Sequence, residues 1–80
     1  LVNGQVRVKD ANDRLGISLP LEASYDTLGG LVIERLGHIP RRGETVSIDG
    51  EGLTLTVIQM LGRRVGRVKV TILPAAAGGD

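Results

Sequence analysis

Few side chains in this 80-residue chain are of the types that do acid–base or covalent chemistry, and their spacing narrows the options further. His38 is the only imidazole, and cysteine is absent. A zinc site needs three or four nitrogen or sulfur ligands, so a histidine-based site lacks its partners. Ser18, Ser24 or Ser47 could enter a Ser-His-Asp arrangement, but none lies in a Gly-x-Ser-x-Gly elbow. His38 follows the end of a helical pattern, where the helix dipole favours a cation, and a structural role accounts for it. Glu22, Asp26, Glu44, Asp49 and Glu51 do not follow the EF-hand spacing that would order them around calcium. These residues assemble no catalytic constellation and no metal site. The chain reads as non-enzymatic, with no resident cofactor.

One stretch deserves a ligand hypothesis. In "YDTLGG", from Tyr25 to Gly30, a glycine pair falls in the first turn of a helix, where free N–H groups can receive a phosphate. The amides of Thr27, Gly29 and Gly30, helped by Arg41 or Arg42, would be the contacts for an adenine nucleotide or a flavin-like ligand. A divalent cation on the acidic turns is a weaker variant of the same idea. Against it, the stretch is neither Gly-x-Gly-x-x-Gly nor a P-loop. Close packing of a backbone against the glycines explains the pair as well.

Basic residues cluster at Arg41-Arg42 and in "RRVGRVK" from Arg63 to Lys69. The formal net charge is only +1 and Tyr25 is the sole aromatic residue, so the stacking platforms of single-strand recognition are missing. Nucleic acid is excluded as the expected partner, and the cluster reads as a solvated strand face.

The elements that carry these residues follow from periodicity. "GQVRV" alternates, with Val6 and Val8 on one face, and reads as a short strand. "KDANDRLG" reads as a short helix with Asp10 as N-cap, Ala11 and Leu15 on one face, and Gly16 at its end. A second helix starts at an Asp26 or Thr27 cap and buries Leu28, Leu31, Val32 and Leu36 at i, i+3, i+4 and i+8. Gly37 and Pro40 stop it. From Glu44 the period becomes two. "ETVSIDG" puts Val46 and Ile48 inward and turns at Asp49-Gly50. "LTLTVIQML" puts Leu53, Leu55 and Val57 inward, with Ile58 and Met60 making both faces apolar towards its end. A turn at Gly62-Arg63 leads to "VGRVKVTIL", with Val68, Val70 and Ile72 inward. The expected fold is α+β, two short helices packed on an antiparallel sheet of about four strands. The other sheet face is left partly wet.

Size permits one domain, expected over residues 1–73, with a disordered tail at 74–80. A domain this small buries only about 60% of its unfolded surface. No apolar run reaches the ~20 residues that span a bilayer. The chain starts at Leu1 rather than Met, which predicts a piece of a longer protein.

Taken together, Leu15-Gly16, Leu19-Pro20, Tyr25 to Gly30, Leu36-Gly37, Ile39-Pro40, Gly43-Glu44, Asp49-Gly50, Arg63-Arg64 and Val68-Lys69-Val70 resemble the CorC/HlyC transporter-associated domain. The likeness runs from about Gly4 to Val70. It departs at the short segment before Leu15, at Leu55, and at Met60 and Gly66. The resemblance implies a fold similar to part of the p-cresol methylhydroxylase-type FAD-binding domain. It also implies a place at the C-terminus of membrane proteins that carry cystathionine-β-synthase (CBS) domains and are described as haemolysins or magnesium and cobalt efflux proteins. There the domain would modulate ion transport from the cytoplasmic side of the cell membrane, and it brings no catalytic residues with it. Its expected partners are the other domains of the parent protein, or a second copy through an apolar patch at Ile58 and Met60.

Overall fold

The computed structural model describes residues 1–48 and 52–72. The expected turn at Asp49-Gly50, Glu51 and the expected tail at 74–80 lie outside the described residues. The elements run β1 (Val2–Asn3), α1 (Val8–Leu15), α2 (Leu28–Leu36), β2 (Thr45–Ile48), β3 (Leu53–Leu61) and β4 (Arg64–Ile72). The four strands form one antiparallel sheet in the order β1-β4-β3-β2. Helix α2 lies against β4 and β2, and α1 packs on α2. This is the expected α+β architecture.

Alternation decides which strand residues enter the core. Val46, Ile48, Leu53, Leu55, Val57 and Val68 are buried, and they meet Leu28, Leu31 and Val32 of α2. Thr45 and Ser47 of β2 and Arg67 and Lys69 of β4 are exposed on the opposite face. The alternation weakens at the far end of β4, where Val70 is half-buried and Ile72 is 54% exposed. Ile72 pairs with Leu53 in the last position of the ladder.

Three local readings are corrected. The strand expected over "GQVRV" is instead the two residues Val2–Asn3, followed by a turn. Asn3 makes that turn, since its Oδ1 accepts from the Gln5 amide at 2.8 Å and its carbonyl accepts from the Val6 amide at 3.1 Å. Arg7 forms only an isolated bridge to Thr27. Helix α1 therefore begins at Val8, and Asp10 sits in its first turn rather than at its cap. The cap position falls to Arg7, which makes no side-chain cap bond. Leu15, expected to be buried with Ala11, is 41% exposed.

Both helices end on left-handed glycines, Gly16 at φ 66° and Gly37 at φ 75°, as their sequences predict. Strand β3 contains a feature that periodicity did not reveal. Its register against β4 slips by one residue between Val57 and Gln59 and slips back between Gln59 and Met60. Ile58 is the extra residue on β3, and Gly66 is the compensating one on β4. The bulge separates Ile58 from the regular face on which Leu53, Leu55 and Val57 lie.

Candidate functional site

The first turn of α2 is built by hydrogen bonds that run between three segments. The Val8 amide donates to the Asp26 carbonyl at 2.7 Å. The Leu28 amide donates to the Val6 carbonyl at 2.9 Å, and the Gly29 amide to the Gly4 carbonyl at 2.9 Å. Thr27 Oγ1 caps the helix by accepting from the Gly30 amide at 3.1 Å. The amides of Leu28, Gly29 and Gly30 are thus all engaged inside the protein. A helix N-terminus binds a phosphate through amides that have no other acceptor, and here the acceptors are in place.

The glycine pair is also needed for close packing. A Cβ on Gly30 would lie 2.9 Å from Tyr25 Cβ, and one on Gly29 would lie 3.2 Å from both Val65 Cβ and the Gly4 carbonyl oxygen. Gly4 is tighter still, because a Cβ there would overlap the Val65 carbonyl. Its amide donates to the Gly66 carbonyl at 2.8 Å, so β1, β4 and α2 meet at one crossing of backbones.

Tyr25 braces this crossing from the other side. It is buried, and its hydroxyl donates to the Pro20 carbonyl at 2.7 Å. Burial, reinforced by the Glu22 carboxylate, raises the pKa of the phenol, and the Arg35 guanidinium opposes the shift. Asn12, which no motif singled out, holds the same connection from α1. Its Nδ2 donates to the Leu19 carbonyl at 3.0 Å and its Oδ1 accepts from the Leu19 amide at 2.8 Å. An asparagine inside a helical pattern is the only sequence signal for that clamp.

Among the expected site residues, Thr27, Gly29 and Gly30 share one shallow depression with Gln5, Ile33, Arg64 and Val65. Arg41 and Arg42 are not brought to it. They follow the opposite end of α2, a nine-residue helix and so about 13 Å long. Arg42 instead lines a separate open trough of about 470 Å³ with Ile58, Gln59, Met60 and Arg67. His38 Nε2 lies 3.1 Å from Glu44 Oε2 on an exposed surface. No three His, Asp or Glu side chains converge as a metal site among the described residues. No helix among them is long and apolar enough to cross a membrane.

Comparison with known proteins places this geometry. Residues 1–74 match the transporter associated domain family, CorC_HlyC. The chain belongs to this family. Over 65 residues it is 40% identical to the magnesium and cobalt efflux protein CorC of Salmonella typhimurium, covering 81% of this chain and 21% of the relative. The chain spans roughly a fifth of the length of the curated relatives it matches. Among solved structures, the region associated with a Mg2+ and Co2+ transporter (CorC) from Neisseria meningitidis MC58 superimposes with a TM-score of 0.78 at 36% identity, covering 90% of this chain and 85% of that one. A CorC_HlyC domain from a Xylella fastidiosa Temecula1 hemolysin, solved in complex with Mg2+ and Mn2+, gives a TM-score of 0.77 at 25% identity, with coverages of 91% and 85%. The resemblance carried by Tyr25 to Gly30 and the glycine-punctuated helix ends is therefore a family relationship. In this CorC_HlyC chain, the first turn of α2 is the crossing that fixes the helix on the sheet.

Proposed function

We propose that this CorC_HlyC domain is a non-catalytic accessory unit of a membrane-associated ion transport protein of the CorC type. In this reading it works on the cytoplasmic side, beside the CBS domains of its parent, and modulates transport of ions such as magnesium and cobalt by docking to neighbouring domains. The observation that carries the proposal is the family match over residues 1–74. The 40% identity to a magnesium and cobalt efflux protein supports the choice of ions. The architecture agrees with it, since the polar side chains with conspicuous positions serve as caps, clamps and braces.

A nucleotide or flavin sensor, the reading that fold analogy with FAD-binding domains would favour, meets two obstacles. The α2 amides already have acceptors, and the two arginines lie elsewhere. A divalent cation has a precedent in the Xylella domain solved with Mg2+ and Mn2+. Deleting residues 1–74 from the full-length parent and measuring Co2+ and Mg2+ efflux in cells tests the proposal. The expected result is a several-fold change in efflux with the parent still in the membrane. Unchanged efflux of both ions would overturn it.

A further inference from the structure

The trough lined by Arg42, Ile58, Gln59, Met60 and Arg67 has a composition and a position that the packing of the domain does not require. Strand β2 covers β3 only from Leu53 to Thr56. Val57 is the last β3 residue bonded on that side, accepting from the Gly43 amide at 2.7 Å and donating to the Glu44 carbonyl at 2.9 Å. Beyond it, among the described residues, no backbone bond reaches Ile58 to Leu61 from the β2 side. The edge of β3 is therefore open where the trough lies.

The side chains there are sorted by the bulge. Gln59 pairs with Arg67 and is exposed like it, on the open face. Met60 pairs with buried Val65, so it leans on the core face and stays half-buried. Ile58, the extra residue, is half-buried at the trough. Of the patch expected at Ile58 and Met60 on the second sheet face, Met60 is thus corrected to the core side, although the two residues share the trough. Two exposed guanidiniums flank these half-buried apolar groups. Neither Arg42 nor Arg67 takes part in an ion pair among the described residues, and no carboxylate lines the trough.

We propose that this trough docks an extended acidic segment of a partner protein, laid along the open edge of β3, with apolar side chains on Ile58 and Met60 and carboxylates on Arg42 and Arg67. The inference rests on the accessory reading and names the docking surface. Charge complementarity selects the occupant, because planar guanidiniums pair bidentately with carboxylates. An extended backbone suits an unpaired strand edge, where main-chain bonds supply affinity and alternate side chains supply specificity. A nucleotide fits less well. Small-ligand sites enclose most of their ligand, whereas this trough is open and its arginines are not joined by a helix N-terminus.

The test uses this chain and a fluorescein-labelled decapeptide of alternating glutamate and valine, with an alternating lysine and valine peptide as control. Anisotropy should show saturable binding of the acidic peptide at micromolar concentrations and at least ten-fold weaker binding of the lysine peptide. The double variant R42E/R67E, whose thermal midpoint reports that it is folded, should lose at least thirty-fold in affinity. Amide NMR shifts on titration should concentrate at Ile58 to Leu61 and at Arg67. Absence of binding, equal affinity for the two peptides, an unaffected R42E/R67E variant, or displacement of the peptide by ATP at equal concentration would each overturn the inference. Changed efflux on deleting the domain, with no peptide binding, would overturn this inference and leave the accessory role standing. Peptide binding with unchanged efflux would do the reverse.

Discussion

Tyr25 shows how much a single side chain contributes when its ring is buried and its hydroxyl has a partner. Replacing it with phenylalanine keeps the ring in the core and removes the bond to the Pro20 carbonyl. The expected cost is about 1 kcal/mol, a fall of roughly 4–8 °C in the unfolding midpoint of a domain this small. The pH dependence has a definite sign. The folded state raises the phenol's pKa, so it favours the neutral form. That contribution is complete below about pH 10, the ordinary phenol value, and is lost as the pH climbs through the raised value. Midpoints measured from pH 8 to 11 should fall more steeply for the wild type than for Y25F. Gly30 gives a second prediction at this scale. Changing it to valine drives a branched side chain into Tyr25 Cβ and should cost about 1–3 kcal/mol in chemical denaturation. A Gly30→Val variant as stable as the wild type would contradict the packing role. The same clash means that lost ligand binding in this variant would not locate a phosphate.

At the scale of elements, the sequence was legible wherever one periodicity ran long enough. Helix α2 has a cap, a four-residue apolar stripe and a glycine stop that all agree, and the structure returns it with Thr27 as the cap. Strands β2 to β4 alternate, and their pairing follows. The strand expected over "GQVRV" fails because Val6 and Val8 alternate by accident of a turn. Val6 lies in the Asn3 turn, whereas Val8 opens α1. The bulge at Ile58 left only an oblique trace, the loss of alternation in "VIQM", which a register slip produces as readily as a strand buried on both faces. The site was harder to read than the fold. The glycine pair pointed to a phosphate because sequence shows the helix start but hides the Val6 and Gly4 carbonyls that occupy its amides. Core depth along the strands separates the two accounts of β4. Leu55→Ala, at a fully buried position, should cost about 3 kcal/mol. Ile72→Ala should cost about 0.5 kcal/mol, since that side chain is largely exposed. Equal losses in urea denaturation would restore the simple alternation.

For the whole molecule, the interactions that hold the domain together leave the trough beside β3 uncommitted. The α2 face of the sheet is covered, three of the four helix ends are capped, and no buried side-chain polar atom among the described residues lacks a hydrogen-bond partner. Among the described residues, the surface contacts of Arg35 with Glu22 at 4.0 Å and of His38 with Glu44 at 3.1 Å are open to solvent and contribute little. The trough beside β3 combines arginines that have no ion-pair partner among the described residues with an open strand edge. In the proposed role the domain acts by what it touches. The most direct measurement is therefore binding in trans, titrating this chain into the detergent-solubilised parent that lacks it. The account predicts saturable binding, weakened at least ten-fold by R42E/R67E. A parent that shows no affinity for the domain would contradict docking as its mode of action.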